Sequence, residues 1–452
     1  MKKMFFIVVL LAAFVPSRAQ STYDFSAVSS SGDTLYYLID NGAAVVTCPG
    51  DIDEDEYWNE GIAQPQGSLV IDGTVTWGDS TYTVVAIGEY AFYGCSGITS
   101  ITLPGTVSVV EDYAFYNCSA LASVSIPASV ADFGSYVFSG TALPEPYYKD
   151  SIFVYMPIAA TGVYTIPDQI TYICGGAFYR CASLTHVVIP NSVTEIGPGA
   201  FLDCDGLTQP LYNNTLFVRL PLTYSGSYTI PDGILTVCAS AFVRDTGLTE
   251  LVMPNSVTTM GNGAFGSCTA LAAVTLSNAL AALPNFAFMG CTALPTLTLP
   301  ASVGRIGTMA FRNCTALDTL VVKATVPPSV TSMSFRSMPD SCLLVVPCGT
   351  LEAYTEAWST YFSQIVEDCG SEGIDDIAAS DIKVYARDGR IVVEGADGQQ
   401  VFVFDLMGRE IQAFKHSLNG LAGHTTSNQA LPTGIYMVKV GDYPARKVAV
   451  IR

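Results

Sequence analysis

Short runs of alternating apolar and polar residues, many of them closed by a proline, recur along most of the chain. In LASVSIP (Leu121 to Pro127), for example, Val124 and Ile126 lie on the same side of an extended segment. A period of two predicts a short β-strand with one buried face, and the proline ends that strand. Before such runs comes an apolar pair that ends in phenylalanine, as in AFYNC (Ala114 to Cys118). We interpret this segment as a compact helical turn whose phenylalanine fills the space between the walls of a coil.

These phenylalanines recur with a nearly fixed period. Their successive spacings are 23, 23, 40, 23, 41, 23, 23, 23 and 24 residues. The ten positions are Phe92, Phe115, Phe138, Phe178, Phe201, Phe242, Phe265, Phe288, Phe311 and Phe335. A period in the twenties is typical of leucine-rich-repeat solenoids, in which each unit buries its apolar face against its neighbours. The two long gaps contain similar segments, DSIFVYMPIAATGVYTIPDQI and NTLFVRLPLTYSGSYTIPDGI, so each gap inserts one extra strand-bearing segment.

The complete unit reads I-G-x-x-A-F-x-x-C-x-x-L-x-x-V-x-I-P-x-S-V and is clearest at Ile196 to Leu207 and Ile306 to Leu317. It resembles the BspA-like leucine-rich repeats of bacterial surface proteins, over about residues 84–338. The resemblance implies an α/β solenoid of short parallel strands plus short helical turns. Residues 339–368 resemble its C-terminal cap, because VVPCGTLEAYTEAWSTYF (Val345 to Phe362) has the pattern of a strand followed by an amphipathic helix. Residues 20–83 resemble the strand-rich N-terminal cap of such proteins.

The first residues of the chain predict export. Lys2 and Lys3 precede an apolar run from Met4 to Phe14, and Ser17-Arg18-Ala19 offers small residues for cleavage after Ala19. Residues 1–19 are therefore interpreted as a signal peptide. The apolar run is too short to span a membrane, and no later run approaches about 18 apolar residues. We expect a mature, exported chain without a transmembrane segment.

The charge composition argues against one class of partner. Of 452 residues, 40 are Asp or Glu and 20 are Lys or Arg, which gives a pI near 4.3. Such an acidic chain repels phosphate backbones, so we do not expect it to bind nucleic acid.

Residues 381–452 differ from the rest and follow a small, acidic linker, CGSEGIDDIAAS (residues 369–380). They contain nine Lys or Arg and seven Asp or Glu, whereas residues 20–380 contain eight and thirty-three. Short alternating runs, interrupted by Asp-Gly and Met-Gly pairs, predict a small all-β sandwich. The segments VFDLMGR (Val403 to Arg409), LPTGIYMV (Leu431 to Val438) and Lys447-Val448 resemble the C-terminal sorting domain of the type IX secretion system.

That second resemblance implies recognition by secretion and sorting machinery in the outer membrane. It also implies, as is common in the family, removal of the domain and attachment of the passenger to surface polysaccharide; cleavage of this copy remains open. The sorting motif would consist of Asp405, Gly408, Arg409, Gly434, Tyr436 and Lys447. We therefore expect the protein at the outer cell surface of a Gram-negative bacterium, or secreted from it.

Thirteen cysteines are the first candidates for chemistry. Those that lie three residues after an anchoring phenylalanine are Cys95, Cys118, Cys181, Cys204, Cys268, Cys291 and Cys314. A fixed phase predicts a repeated buried position, where a free cysteine acts as a small hydrophobe. Metal or redox chemistry needs convergent spacing such as C-x-x-C, which is absent. Disulfides between stacked units are the alternative for an exported protein, and Cys342, Cys348 and Cys369 allow a local one.

Enzyme chemistry has no support in the sequence. The three histidines, His186, His416 and His424, do not form a ligand motif, and no H-E-x-x-H, G-x-S-x-G or G-K-[ST] string occurs. Asp51 to Glu56 could hold calcium through carboxylates but lack the phasing of an EF-hand loop, so a solvated acidic loop is the other interpretation. We expect no catalysis, no cofactor and no metal.

The side of each strand that points away from the core is the candidate binding surface, and we call it the strand face. It is rich in small hydroxyl residues and almost uncharged. The candidate residues are Ser100, Thr102, Ser123, Ser125, His186, Val188, Glu250, Val252, Thr275, Thr296, Thr298 and Thr319. Such a face suits contact with an extended protein or glycan. Simple β-propensity, which favours Thr and Val in cross-strand pairs, is the alternative explanation.

Two functional hypotheses follow. The first is a non-catalytic, exported cell-surface protein whose solenoid mediates adhesion or ligand binding, with a host matrix protein, other cells or a glycan as partner. The second is a surface component that captures glycans or peptides for nutrient uptake. Glycan capture would require exposed aromatic platforms on one face, so the exposure of Tyr and Trp discriminates between the two. In the first clear repeat we expect Phe92, Ile98, Ile101 and Leu103 to face inward.

Overall fold

A computed structural model describes residues 23–52, 57–58, 61–369, 383–394, 400–405, 409–415, 424–427, 429–440 and 446–450. The predicted signal peptide, most of the predicted linker and residues 53–56 of the acidic run lie outside these ranges. The chain packs as two compact units. The first extends to Ala160 and includes Gln169–Cys181 and Ala200–Cys204; the second comprises Thr161–Asp168, Ala182–Gly199 and the residues from Asp205 onward.

The repeats form a β-solenoid of short strands. The N-terminal region and first repeats contain β1 (Phe25–Val28), β2 (Thr34–Asp40), β3 (Ala43–Thr47), β4 (Gly67–Val70), β5 (Thr74–Trp77), β6 (Ser80–Ile87), β7 (Ile98–Thr102), β8 (Val109–Val110), β9 (Ser123–Ser125) and β10 (Asp132–Phe133). The later repeats contain β11 (Tyr147–Lys149), β12 (Ile152–Tyr155), β13 (Gly162–Thr165), β14 (Tyr172–Ile173), β15 (Leu184–Val188), β16 (Glu195–Ile196), β17 (Leu211–Tyr212), β18 (Leu216–Arg219), β19 (Gly226–Thr229), β20 (Thr236–Val237), β21 (Leu248–Val252), β22 (Thr259–Met260), β23 (Ala273–Thr275), β24 (Ala282–Leu283), β25 (Thr296–Leu299), β26 (Arg305–Ile306) and β27 (Thr319–Val322).

The remaining elements follow the repeats. They are β28 (Leu343–Pro347), the helix α1 (Leu351–Trp358), β29 (Gln364–Asp368), β30 (Lys383–Arg387), β31 (Arg390–Glu394), β32 (Gln400–Phe404), β33 (Glu410–Lys415), β34 (His424–Thr426), β35 (Gly434–Val440) and β36 (Arg446–Val450). No helix among the described residues is long and apolar enough to cross a membrane.

Parallel pairing between consecutive repeats stacks equivalent residues on one another. In β7 and β9 Ile101 pairs with Val124, and in β25 and β27 Leu297 pairs with Leu320, so each partner lies one 23-residue period further along the chain. A second set of strands also pairs in parallel, for example β6 with the two-residue strand β8, and β8 with the two-residue strand β10. Ile98 and Ile101 of β7, and Leu103 directly after it, are at most 4% exposed, as predicted.

The two inserted segments carry strands, as the sequence predicts. Each adds an antiparallel hairpin, β11 with β12 and β17 with β18, and a strand that joins the parallel ladder, β13 with β15 and β19 with β21. Each insertion also contributes its own phenylalanine to the core. Phe153 stacks on Phe178 with ring centroids 4.8 Å apart, and Phe217 stacks on Phe242 at 4.9 Å. In each long gap a buried ring therefore stacks on the anchoring phenylalanine that follows it.

The predicted short helical turns are replaced by hydrogen-bonded turns, and α1 is the only helix within the described residues. In the copy at Ala114 to Cys118, Tyr113 and Asn117 have φ angles of 55° and 57°. These left-handed residues interrupt any right-handed helix. The backbone N–H of Tyr116 bonds within the turn, to Tyr113 O at 3.0 Å, whereas that of Phe115 bonds to Val137 O in the next repeat at 3.0 Å. Neighbouring repeats thus satisfy groups that a helix would satisfy internally.

The C-terminal cap covers the last repeat with aromatic residues. Tyr354 and Trp358 of α1 are buried, and the ring of Trp358 lies 5.1 Å from that of Phe335, edge to face. A disulfide between Cys348 and Cys369 joins the ends of β28 and β29. Because this helix shields the terminal apolar surface, the stack of repeats ends without an exposed core.

Beyond the cap, β30, β31 and β34 form one antiparallel sheet, and β33, β32, β35 and β36 form another. Residues of both sheets, among them Ile391, Val401 and Val438, belong to one buried cluster. Ile435 lies outside that cluster and packs instead against Val321 and Val345 of the solenoid, within the second unit. The C-terminal sheets therefore contact the outer side of the last repeats.

Candidate ligand-binding surfaces

The strand face of the first unit is exposed. Thr102, Ser123 and Ser125 are solvent-exposed and Ser100 is half-buried. Ser100 pairs with Ser123 across β7 and β9, and the Ser100 hydroxyl donates a hydrogen bond to Ser68 Oγ of β4 at 2.9 Å. Hydroxyl groups thus follow one another from strand to strand on this part of the face.

In the second unit the predicted strand-face residues up to Thr298 are exposed or half-buried. The exposed ones are Val188, Glu250, Thr275 and Thr298, and the half-buried ones are His186, Val252 and Thr296. The inserted strands add residues that the sequence census omitted, because those strands lie in the long gaps. Val163 of β13 pairs with His186 and is 65% exposed, and Ser227 of β19 pairs with Glu250.

Thr319 is a wrong prediction, since this residue is only 3% exposed. It pairs with Leu343 of β28, and the outer side of this part of the sheet is apolar rather than hydroxyl-rich. Val321, Leu343 and Val345 form a buried cluster there, with Val366 and Ile435 packed against it. Contact with the C-terminal sheets thus removes the end of the strand face from solvent.

Two of the predicted sorting residues form an ion pair at a turn. The Arg409 Nε lies 3.0 Å from Asp405 Oδ2, and the Arg409 backbone N–H donates to Asp405 Oδ1 at 2.9 Å. Tyr436 is 7% exposed and donates its hydroxyl hydrogen bond to Pro432 O at 3.0 Å. Gly434 begins β35 and Lys447 lies in β36, whereas Gly408 is outside the described residues.

The cysteines are packing residues, as their phase predicts. Eleven are free and buried. Several donate a weak hydrogen bond to the carbonyl of an earlier anchoring phenylalanine, as Cys118 does to Phe92 O at 3.0 Å and Cys291 to Phe265 O at 3.2 Å. Burial raises the pKa of Cys118 to about 12, so the thiolate needed for reaction is not formed near neutral pH. The local disulfide left open by the sequence is the one between Cys348 and Cys369.

Seven tyrosines of the first unit form a stacked array that sequence reasoning missed, and we call it the tyrosine ladder. Its members are Tyr57, Tyr90, Tyr93, Tyr113, Tyr116, Tyr136 and Tyr179. Tyr90, Tyr113 and Tyr136 form one row, with successive centroids 5.0 Å apart and interplanar angles of 5° and 4°. Tyr93 and Tyr116 form a second row, stacked at 5.1 Å.

The two ends of the ladder are closed by further rings. Tyr57 lies 4.5 Å from Tyr90 and 4.3 Å from Tyr93, and Tyr179 meets Tyr136 edge-on at 5.4 Å. All seven tyrosines are half-buried. Since stacking covers ring faces along each row, solvent reaches mainly ring edges and hydroxyl groups.

A repeated backbone conformation places the first row. Tyr90, Tyr113 and Tyr136 each lie two residues before an anchoring phenylalanine and have φ angles of 56°, 55° and 57°. The sequence therefore contained a signal for the ladder, a tyrosine two residues before the anchoring phenylalanine. Only a few repeats have a tyrosine at that position. At the same phase, later repeats carry Ser240 and Met309 instead.

Carboxylates lie beside the ladder. Glu89 directly precedes Tyr90, and its backbone N–H donates to Glu111 Oε2 at 3.0 Å; Asp112 directly precedes Tyr113. Burial, followed by the charges of Asp112 and Glu111, raises the pKa of Glu89. Burial also raises the pKa of Tyr90 and of Tyr113, so their hydroxyl groups are neutral at physiological pH. The surface combines neutral phenols with concentrated negative charge.

An open cleft of about 560 Å³ lies in the second unit, lined by residues such as Ile196, Thr236 and Met260. Among its lining residues, the groups suited to acid–base or nucleophilic chemistry are Glu195 and Cys238. Cys238 is buried, and burial raises its pKa to about 12. A thiol with this pKa stays protonated near neutral pH and is a poor nucleophile.

One family of proteins matches the region that contains the repeated strands, the phenylalanine stack and the buried cysteines. The family described as "BspA type Leucine rich repeat region" matches in six copies, at residues 79–153, 161–219 and 222–340. The chain belongs to this family. Residues 372–450 of this BspA-type protein match a family described as "Domain of unknown function (DUF6383)". No curated protein matches the chain.

Solved structures similar to the BspA-type chain come from several bacteria. A leucine rich cell surface protein from Faecalibacterium prausnitzii A2-165 has 22% identity and a TM-score of 0.36, with 77% of this chain and 96% of that one covered. The pneumococcal vaccine antigen PcpA has 14% identity and a TM-score of 0.38, with 77% and 100% covered. A leucine-rich repeat protein from Bacteroides ovatus ATCC 8483 has 23% identity and a TM-score of 0.30, with 76% and 100% covered. These similarities carry no information about a ligand.

Proposed function

We propose that this BspA-type protein is a non-catalytic cell-surface protein that binds a partner through the strand face of its solenoid, in adhesion or ligand capture. The observation that carries this proposal is the exposed, nearly uncharged and hydroxyl-rich outer side of the parallel strands. Thr275, Thr298 and Ser125 illustrate its chemistry. A surface of this kind loses little hydration energy of charged groups when it is covered, which favours broad contact with an extended protein.

Binding rather than catalysis is supported by how the reactive side chains are placed. Buried thiols with raised pKa values pack the core, and the cleft in the second unit offers Glu195 without a matched acid, base or nucleophile. Host matrix proteins, other cells and glycans are the partner classes that the family resemblance suggests. The similar F. prausnitzii protein is described as a cell surface protein, which agrees with display outside the cell.

Export and sorting form the second part of the proposal. A signal peptide at residues 1–19 would direct the chain out of the cytoplasm, and residues 381–452 would act as a β-sandwich sorting domain of the type IX system. The two antiparallel sheets around one buried cluster and the Asp405–Arg409 turn support this assignment. A reporter fused to residues 381–452 should reach the surface of a bacterium with this system; retention of the reporter in the periplasm would exclude the assignment.

Glycan capture for nutrient uptake is the weaker alternative. Sugars stack on exposed faces of aromatic rings, whereas the rings of Tyr90, Tyr113 and Tyr136 cover one another's faces. The edges of the ladder therefore offer no flat platform for a sugar ring. The more exposed aromatic residues Trp77, Tyr148 and Tyr212 lie on separate strands, and each stacks one ring face on a phenylalanine.

A binding screen of the mature chain against matrix proteins, bacterial cells and a glycan array tests the proposed function. For any partner found, the double variant Thr275→Lys/Thr298→Lys places charge on the strand face and should weaken binding at least about tenfold. The double variant Thr269→Lys/Thr292→Lys adds the same charge at exposed turn residues and should leave affinity nearly unchanged. Absence of saturable binding, or equal effects of both variants, would contradict the proposal.

A further inference from the structure

One of the few cations in the first half of the sequence lies on the tyrosine ladder. Between residues 23 and 204 there are twenty Asp or Glu, but the Lys and Arg residues are only Lys149 and Arg180. The guanidinium carbon of Arg180 lies 4.9 Å from the ring centroid of Tyr179, over the ring, and its Nε is 4.0 Å from Asp203. Lys149 bonds elsewhere, to backbone carbonyls of Pro127 and Ala128 at 3.1 and 2.9 Å. The last ring of the ladder thus already holds a guanidinium between an aromatic face and a carboxylate.

The same pair of groups, aromatic ring and carboxylate, continues toward the other end of the ladder. There Glu89 and Glu111 are exposed, Asp112 is half-buried, and the three lie close enough for the charges of Asp112 and Glu111 to act on Glu89. Two of these carboxylates accept a backbone hydrogen bond within the protein. Glu111 accepts one from the N–H of Glu89, and Asp112 Oδ1 accepts one from the N–H of Ser135 at 2.6 Å. Each carboxylate keeps lone pairs that can accept hydrogen bonds from a partner.

The phenols add neutral acceptors beside this charge. Because burial raises their pKa, the hydroxyl groups of Tyr90 and Tyr113 stay protonated and can both donate and accept hydrogen bonds. Tyrosine contributes large contact area with little loss of side-chain freedom, and Tyr and Arg are both enriched among the residues that dominate the binding energy of interfaces. A guanidinium approaching the ladder would find ring edges, phenol oxygens and carboxylates at spacings set by the repeats, 5.0 Å along the first row.

We propose that the tyrosine ladder, together with Glu89, Glu111 and Asp112, binds a basic segment of a partner protein, rich in Arg or Lys and held in an extended conformation. Charge complementarity selects this occupant. The ladder consists of turn residues, whereas the strand face consists of strand residues. The ladder is therefore a second surface, and its ligand class differs from that of the proposed function.

The first test uses a fluorescein-labelled peptide of six Arg-Ser repeats and the mature full-length chain. The triple variant Glu89→Gln/Glu111→Gln/Asp112→Asn removes charge but keeps side-chain oxygens that can accept the Ser135 and Glu89 backbone bonds. This variant should weaken peptide binding at least about tenfold, because it loses charge pairs with the peptide. The affinity should also depend less on the salt concentration. The triple variant Asp232→Asn/Asp318→Asn/Asp340→Asn changes net charge equally, at exposed residues of the second unit, and should change affinity less than about twofold.

A second test separates the phenols from the charge. The double variant Tyr113→Phe/Tyr116→Phe keeps the rings and should weaken binding severalfold, while thermal unfolding confirms that the variant is folded. A peptide with citrulline in place of arginine should bind much more weakly to the wild-type chain. Equal weakening by the two carboxylate variants, undiminished binding of the citrulline peptide, or no binding of the arginine peptide would overturn the proposal. So would binding of a neutral glycan that depends on the tyrosines and not on the carboxylates.

One variant distinguishes failure of the strand-face proposal from failure of the tyrosine-ladder proposal. The Thr275→Lys/Thr298→Lys variant should bind the arginine peptide as the wild type does, because its substitutions lie on strands of the second unit. Loss of matrix-protein binding in that variant with retained peptide binding would assign the two surfaces to different ligands. Loss of peptide binding in that variant would contradict the ladder as the peptide site.

Discussion

The rings of Phe265 and Phe288 lie 5.1 Å apart, centroid to centroid, with an angle of 6° between their planes. The backbone of Phe265 also donates its N–H to Ala287 O, next to Phe288, at 2.9 Å. One repeat thus both stacks on the next and hydrogen-bonds to it. Stability in such a chain is the sum of contacts between neighbours, so damage to one repeat weakens both of its interfaces.

Replacing Phe265 by Ala should lower the free energy of unfolding by about 3–5 kcal/mol, because the ring is fully buried and its loss leaves a cavity in the stack. Urea denaturation of the mature chain, followed by circular dichroism, measures this change.

Phe286 provides the matched control for that substitution. It lies in the next repeat, is 37% exposed, and has a φ angle of 58°. Asn tolerates this left-handed conformation, so Phe286→Asn should change the unfolding free energy by less than about 1 kcal/mol. Similar losses in the two variants would show that the phenylalanine stack does not hold the core.

The free cysteines should be unreactive in the folded protein. Each is buried, and burial raises the pKa of residues such as Cys314 and Cys342 to about 12. Iodoacetamide at pH 8 should label the native chain negligibly and should label eleven thiols after denaturation without reductant. Mass spectrometry counts the labels. Rapid labelling of the native chain, or a count of nine or fewer after denaturation, would contradict this arrangement.

Much of this fold could be predicted from the sequence because a repeat shows each structural requirement several times. Phe92 and Cys95 are buried, and their common phase with later copies was sufficient to place them in the core. The helical turns were mispredicted for a local reason. The sequence around Ala114 permits a helix, and backbone bonds to the next repeat, such as that from Phe115 N–H to Val137 O, favour the turn.

The candidate surfaces were harder to predict, since they depend on neighbours far away in sequence. Thr319 has the pattern of an exposed strand residue, yet its surroundings are determined by what packs over Val321 and Leu343. The tyrosine ladder was missed because half-exposed rings resemble ordinary turn residues until their stacking is seen. Tyr57 in particular does not follow the 23-residue period, and its contact with Tyr90 depends on the folded structure.

Reduction of the disulfide between Cys348 and Cys369 should loosen the C-terminal cap. The bond closes a loop with a sequence separation of 21 residues and joins the ends of β28 and β29. A loop of this size corresponds to about 3 kcal/mol of stabilisation in the chain-entropy description. The variant Cys348→Ser/Cys369→Ser should therefore increase amide hydrogen exchange in β29, while exchange in β21 stays unchanged. Unaltered protection of β29 would mean that α1 and β28 hold this strand without the disulfide.

Binding of the arginine peptide to the tyrosine ladder should depend on pH. Protonation of Glu89 removes charge that attracts the peptide, and burial together with Asp112 and Glu111 raises the pKa of this group. Affinity should therefore weaken as the pH falls through that raised pKa, and the decline should begin at a higher pH than for an ordinary glutamate. In Glu89→Gln the decline should shift to lower pH. Titration by fluorescence anisotropy measures both curves, and identical curves would exclude Glu89 from the site.

The C-terminal sheets should shield an apolar patch on the last repeats. Ile435 packs against the cluster of Val321, Leu343 and Val345, three outward-pointing residues that would otherwise face water. Ile435→Asp places a charge in this contact and should expose the cluster, which raises the fluorescence of the dye ANS and lowers the unfolding free energy by about 1–3 kcal/mol. Ile411→Asp, at a residue of β33 that is 39% exposed, adds the same charge and should do neither. If both variants bind ANS equally, the contact through Ile435 does not cover the patch in solution.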